Sequence, residues 1–423
     1  MCVSQGMGRE TAGGLTIAAG FVTALTVVPC LLFQAGMDFT PAYMSMGAMV
    51  ILSSGWLALR GLPMVALPSL SLAAWLSYVV MISKGCSWQE VLGISAIVSL
   101  AGWLLFSLPW GRKLLGAVPA WFRQPFSLGL GLMLIMQGLV QGRLILASPW
   151  SVTMAGNFQD PLAYWSLMGI ILGAVLLARV WVWALGACFL LIALCTYLEG
   201  FWILPEAPGL LPEGMEKVVG QAAPYGSWSE SHAGEFALVG LVLLLTVQAE
   251  SFCVWQASPQ GETDPAPVLR GLAGISFLGA WLGCLPLSLS PLSAGAWAVG
   301  GRRGMAAAVA LAALSVLWLL EPAAAELAKF PAMTAPVLVL AGAQLIRERL
   351  RGFSPGALPW EEWLPGLAGI LLMALSFDIG AGAGAMVTGR ALLFTAAGRG
   401  REVGWPLWLL AMLFLVYFLF GDL

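Results

Sequence analysis

The sequence predicts an all-α polytopic membrane protein with fourteen transmembrane segments in a 7+7 inverted repeat, the third and tenth spans being broken. Three observations carry that expectation. The chain is 60% hydrophobic and 9% charged, against roughly 25% charged in ordinary soluble domains, so a water-soluble fold could not cover its surface. Apolar runs recur along the whole length, each long enough to cross a hydrocarbon core of ~30 Å at ~1.5 Å per residue. Two of those runs are interrupted by proline and resemble each other. Helices are the spanning element because backbone groups in lipid must be satisfied within their own segment, and the alternating ten-residue segments of a barrel are absent.

The spans fall near 15–34, 42–59, 64–82, 91–109, 125–142, 162–178, 180–198, 236–256, 268–286, 288–299, 304–320, 331–346, 363–377 and 379–396. A last apolar run, 405–420, follows and is compatible with crossing, re-entering or lying in the interface. The run from Leu15 to Phe33 is too long for a signal-peptide core and lacks a cleavage site, so it reads as the first span. With the N-terminus inside, the cytoplasmic segments hold Arg9, Arg60, Arg112, Lys113, Arg123, Arg179, Arg270, Arg302, Arg303, Arg347, Arg349, Arg351, Arg399 and Arg401. The outer loops hold Lys84, Arg143, Lys217 and Lys329, a split of fourteen against four that obeys the positive-inside rule. The long outer loop 199–235 carries Glu199, Glu206, Glu213, Glu216, Glu230 and Glu235 and separates two halves of seven spans, which therefore point in opposite directions.

The halves share local strings. Ser71-Leu72-Ala73-Ala74-Trp75 in the third span of one matches Ser293-Ala294-Gly295-Ala296-Trp297 in the third span of the other. The stretches 117–132 and 329–344 both open a fifth span with an aromatic residue or Val before Pro-Ala. Matching breaks in inverted halves are the best sequence pointer to the binding site of a transporter. Pro63, Pro68 and Pro291 stop a helix and leave the following turn with free N–H groups near mid-membrane. Two such ends facing each other make a pocket for an anionic or carbonyl-bearing solute. Ser69, Ser71 and Ser293 add hydroxyls, Ala73, Ala294 and Gly295 let a ligand approach the backbone, and Trp75 and Trp297 are candidates for the pocket wall. Plain proline kinks packed through small residues are the alternative, which leaves the coincidence in both halves unexplained.

Glu250 is the one acid well inside an apolar span. A charge at the bilayer centre costs ~2.5–3.5 kcal/mol on insertion scales, which makes Glu250 a candidate for substrate binding and proton coupling; Gln248 and Ser251 are expected to hydrogen-bond beside it. A neutral glutamic acid kept for structural reasons is the alternative. Asp378 reads as a loop cap, His232 as solvated, and Arg60, Arg179 and Arg270 as snorkelling. The seven cysteines form no CxxC pair and have no histidine nearby, so neither a metal, a cofactor nor a redox motif is expected. No HExxH or GxSxG occurs, which argues against an enzyme, and no basic patch points to nucleic acid.

These residues resemble the xanthine/uracil permease superfamily, in its adenine/guanine/hypoxanthine branch. The likeness runs through 12–38, ending Ala-Gly-Met-Asp, through 84–106, and through 298–322 with its Gly-Gly-Arg. It continues through 330–382, including the Trp and Pro that open span 13. The resemblance implies a mobile core domain from 1–110 and 236–321 and a gate domain from 111–198 and 322–398, with the outer loop 199–235 and a C-terminal segment 399–423 standing apart. It implies elevator-like transport of a small-molecule substrate held between spans 3 and 10, coupled to a proton or sodium ion, in a bacterial inner membrane, by a protein that can form a homodimer. The family's Phe-Asp-Thr of span 8 falls at Ala249-Glu250-Ser251. Its second acid, in span 10, falls at Leu292, its Asn before Pro29 is Val28, and its Pro-Gly-Met-Gly-Leu-Asn reads Pro68-Ser69-Leu70-Ser71-Leu72-Ala73. A purine leaves several donors and acceptors unpaired in so dry a pocket, at roughly 1–3 kcal/mol each, which points to a nucleobase-like or other less polar solute. Two further readings stay open: a non-transporting scaffold or sensor descended from a permease, and an anion carrier on the same fold.

Overall fold

The computed structural model describes residues 2–109, 111, 118–148, 153–179, 183–206, 214–226, 230–298, 300–350 and 360–420. Arg112, Lys113, Glu213 and Arg351 of the charge count lie outside the described residues. The first half runs α1 (Cys2–Gln34), α2 (Phe39–Leu59), β1 (Ala66–Pro68), α3 (Leu70–Trp75, continued as a π-turn over Leu76–Ser83) and α4 (Trp88–Ser107). It continues with α5 (Ala120–Gln141), the hairpin β2 (Ile145–Ala147) and β3 (Thr153–Ala155), α6 (Pro161–Ala178) and α7 (Ala184–Leu198). The second half runs α8 (Ala233–Ala257), α9 (Ala266–Trp281), β4 (Leu287–Leu289), α10 (Ser293–Ala298), α11 (Gly304–Leu319) and α12 (Glu321–Lys329). It ends with α13 (Ala335–Leu350), α14 (Trp360–Ser376), α15 (Ile379–Ala396) and α16 (Trp405–Phe420). Among the described residues six helices are long and apolar enough to cross a membrane, or seven if the α11 and α12 pair is one span. The protein is thus a multi-pass, mainly helical membrane protein.

Local chemistry explains where elements begin. Ser87 and Glu90 form a capping box that starts α4, and Pro161 behind the Asp160 cap starts α6. Asp378 caps α15, its Oδ1 accepting from Gly380 N–H at 2.7 Å, as the sequence indicates. His232 is exposed and immediately precedes α8. Helix α1 begins at Cys2 rather than near residue 15, because its polar first turns gain a partner: the buried Glu10 accepts from Arg302 N–H at 2.8 Å and Arg303 N–H at 3.1 Å. That carboxylate sits at the N-terminus of α11, where a helix favours negative charge. The chain turns by 97° between α11 and α12, a short helix the hydropathy pattern does not show.

The main helix contacts fall into two groups. In one, α1 packs on α2 and α11, α2 on α11, and α4 on α9. In the other, α5 packs on α13 and α14, α13 on α6, and α14 on α15. The α5–α13 contact is close: a Cβ at Gly342 would stand 2.4 Å from the Gly131 carbonyl oxygen, so the backbones touch only because both positions are glycine. The final run forms α16, which packs on α15 and reaches broken span 3 through Tyr417, whose hydroxyl accepts from Trp75 Nε1 at 2.7 Å.

Candidate functional site

Spans 3 and 10 are both broken, and in the same way. Each enters as a three-residue strand and leaves as a short helix, and the strands pair antiparallel with Ala66 opposite Leu289, Leu67 opposite Ser288 and Pro68 opposite Leu287. A two-stranded ladder leaves half its N–H groups unpaired, and in a membrane interior those groups need partners. Serines supply them. Leu287 N–H donates to Ser276 Oγ at 3.0 Å and Leu289 N–H to Ser251 Oγ at 3.2 Å. In the other half Ala66 N–H donates to Ser54 Oγ at 3.4 Å and Val65 N–H to Ser293 Oγ at 3.3 Å. With its outer edge held by α8 and α9, β4 places Ser288 and Ser290 on the wall of a cavity.

That cavity lies between α1, α8 and the two broken spans on one side and α5 and α13 on the other. Its polar wall is Ser69, Gln137, Glu250, Ser288 and Ser290; Gly20 and Ala24 of α1, Met133 and Leu134 of α5, Leu338 of α13 and Leu292 supply most of the rest. Glu250 is 1% exposed. The hydroxyls of Ser288 and Ser69 stand beside its carboxyl, that of Ser288 donating to the Leu67 carbonyl at 3.4 Å, and its Oε2 has no partner among the described residues. No basic side chain of the described residues offsets it. Leaving such a carboxylate charged and uncompensated costs several kcal/mol, so ionisation requires a cation, a hydrogen-bond donor or water to enter the cavity.

The structure brings Glu250 and Ser69 together and sends the other candidates elsewhere. Gln248 and Ser251 do not flank the Glu250 carboxyl, because residues one and two positions away on a helix face other directions. Both line a smaller cavity behind α8, with Ser99 and Ser276. Ser293 is spent on Val65 N–H, Ala73 and Ala294 are buried in packing, and a Cβ on Gly295 would lie 2.8 Å from Thr16 Cγ2 of α1. The side chain of Ser71 lies outside the described residues. Trp75 and Trp297 are not on the cavity wall: Trp75 binds Tyr417, and Trp297 Nε1 donates to the Pro63 carbonyl at 2.9 Å. Ser288, Ser290 and Gln137 are the lining residues that hydropathy misses. The period of two in Leu287-Ser288-Leu289-Ser290 is the signal for the first pair, and Gln137 is a lone amide in an apolar run.

No protein-family model matches the chain. It is 25% identical over 433 residues to the guanine/hypoxanthine permease PbuO of Bacillus subtilis (strain 168), covering 96% of each protein. It is 25% identical over 427 residues to the adenine permease AdeP of Escherichia coli (strain K12), covering 96% of this chain and 93% of that one. The chain is a divergent member of the xanthine/uracil permease family. This permease resembles in fold the transmembrane domain of the cyanobacterial bicarbonate transporter BicA, with a TM-score of 0.57 at 16% identity, covering 88% of this chain and 96% of that one. It also resembles the murine anion transporter Slc26a9, with a TM-score of 0.54 at 10% identity, covering 92% of this chain and 68% of that one. PbuO and AdeP are permeases, not enzymes. Leu292 lines the cavity, where its methyl groups would stand 3.1 and 3.2 Å from a Cβ on Gly20. Val28 is fully buried in the core.

Proposed function

We propose that this permease is a secondary active transporter for a nucleobase-like or other small, modestly polar solute, binding it at Glu250 and coupling its movement to a proton carried by the same carboxyl. The observation that carries this reading is a carboxyl 1% exposed, with one oxygen unpartnered, on the wall of a cavity between two broken spans. A solute N–H or a proton satisfies that oxygen, and nothing else among the described residues does. The named activities of PbuO and AdeP support the nucleobase class. Ser69, Ser288, Ser290 and Gln137 supply the remaining hydrogen bonds, and Ala73, Ala294, Gly295, Ser71 and Ser293 shape the half-helices behind them.

The mechanism is alternating access of the elevator type on a 7+7 inverted repeat of fourteen spans. The core body is 1–110 with 236–321 and the gate body 111–198 with 322–398; the pairwise packing of α1, α2, α4, α9 and α11 on one side, and of α5, α6, α13, α14 and α15 on the other, supports that division. The cavity takes walls from both, so relative sliding of the bodies alters its exposure. The chain sits in a bacterial inner membrane with its N-terminus cytoplasmic, on the charge asymmetry of its loops. Leu292 favours one competing reading, a non-transporting scaffold or sensor.

The test is uptake of radiolabelled guanine, hypoxanthine and adenine into proteoliposomes with and without an inward proton gradient. Gradient-driven accumulation of at least one is expected for the native chain, and its loss in E250Q with the protein still folded and inserted. Full gradient-driven accumulation by E250Q refutes the coupling role; no uptake of any solute by the native chain favours the scaffold.

A further inference from the structure

One pair of charged side chains has no part in the cavity. Arg123 in the first turn of α5 and Arg349 in the last turn of α13 reach from the same group of helices to the C-terminal end of α8. Arg349 Nη2 donates to the Cys253 carbonyl at 3.1 Å, and Arg123 Nη1 to Gln256 Oε1 at 3.3 Å. Cys253 and Gln256 stand three positions apart, on one face of the last turns of α8, so the two guanidiniums approach the same end of that helix. Each keeps a buried Nε–H with no acceptor. No carboxylate forms an ion pair with either among the described residues.

Like charges brought together at a half-buried place repel, and a helix C-terminus carries only about half a unit of compensating negative charge. Two other arginines are provided for: Arg399 binds Glu362 and Glu402, and Arg60 lies over the Trp56 ring at 4.6 Å. The Arg123 and Arg349 pair has unspent donors and unspent charge. Guanidinium forks match the geometry of a tetrahedral oxyanion, and two forks converging from different helices are a recurrent way to hold one.

We propose that Arg123 and Arg349 form a binding site for a phosphate-type anion at the seam between α5, α13 and the end of α8, separate from the Glu250 cavity. The anion is either soluble phosphate or the headgroup of an anionic phospholipid from the adjacent leaflet, which carries the same group. Occupancy neutralises the repulsion between the arginines and so favours their bonds to Cys253 and Gln256 at the end of α8.

The experiment uses the full chain in dodecyl maltoside and follows thermal unfolding by tryptophan fluorescence at constant ionic strength. Sodium phosphate is titrated against sodium chloride in one arm, and phosphatidylglycerol against phosphatidylcholine in the other. A saturable rise of the unfolding midpoint in either arm is expected, with an apparent Kd at least tenfold weaker in R123Q or R349Q and unchanged in R60Q. A rise with phosphatidylglycerol alone identifies the lipid source, and a rise with phosphate alone the soluble one. If R123Q and R349Q do not fold, R123K/R349K keeps both charges and removes the Nε–H forks; it is expected to fold and to bind at least tenfold more weakly. No rise in either arm, or an equal rise in native and lysine-substituted protein, overturns the proposal.

Discussion

The serines that hold strand β4 can be tested quantitatively. Ser276 Oγ and Ser251 Oγ accept from the N–H groups of Leu287 and Leu289 at 3.0 and 3.2 Å. Both serines are buried, at 2% exposure, so replacement by alanine leaves the N–H groups little access to water. An orphaned buried donor costs about 1–3 kcal/mol. S276A and S251A are therefore each expected to destabilise by that amount, and the double variant by about 2–5 kcal/mol. The double falls short of a strict sum because both serines hold one strand, and neighbours that share a partner do not add. The corresponding bond in the first half, from Ala66 N–H to Ser54 Oγ, is longer at 3.4 Å. It lies beyond the usual N–H to O range, so S54A is expected to cost less than S276A. The assay is denaturant unfolding in mixed micelles, followed by tryptophan fluorescence. Because the same strand presents Ser288 and Ser290 to the cavity, S251A/S276A is also expected to weaken ligand-induced thermal stabilisation. A double variant within about 0.5 kcal/mol of the native protein refutes the pinning of β4.

Two further variants probe the contacts of α1. E10A removes the acceptor of the Arg302 and Arg303 N–H groups and is expected to cost about 2–4 kcal/mol, with E10Q costing less because its carbonyl still accepts; thermal unfolding midpoints in detergent check the ranking. G295A places a methyl 2.8 Å from Thr16 Cγ2, so α10 and α1 must separate. Overpacking of that kind costs about 1–3 kcal/mol, and a midpoint equal to the native one would show that the contact yields freely.

Much of the architecture is legible in the residues because a membrane imposes strong rules. Pro68 and Pro291 cannot continue a helical ladder, and both broken spans lie where those prolines stand. Glu250 stands out because an acid in an apolar run has few structural explanations, and it faces the cavity. The pairing of β1 with β4 is a contact between residues more than two hundred positions apart, on which hydropathy is silent. The same blindness reverses the roles of the serines. Ser251 and Ser293 look like pocket hydroxyls because they adjoin Glu250 and Pro291, yet both satisfy strand N–H groups. Ser288 and Ser290 look like ordinary span residues, yet they line the cavity. A hydropathy plot locates a polar group along the membrane normal and leaves its azimuth open, and azimuth decides whether a hydroxyl meets a ligand or a backbone. The tryptophans show the same limit: Trp75 and Trp297 occupy matching places in the two strings, but their indole N–H groups find Tyr417 and Pro63.

The cavity's composition bears on what it carries. The first broken span contributes Ser69, the second Ser288 and Ser290, and α8 Glu250, while among the described residues Gln137 is the polar residue on the wall facing them. A solute bound there meets carboxyl and hydroxyl groups along one edge and largely Met133, Leu134 and Leu338 along the other. Leu292 occupies the place where the family resemblance puts a second acid, and its contact with Gly20 closes that corner with methyl groups. A ligand group needing an acceptor there would stay unpaired at about 1–3 kcal/mol, a discrimination of roughly ten- to a hundredfold against a solute with donors on both edges. A planar solute with one donor edge and one apolar edge escapes that penalty. Under the proposed function the single carboxyl therefore also sets selectivity: it holds one donor edge, and the rest of the cavity rewards a solute that asks for nothing more.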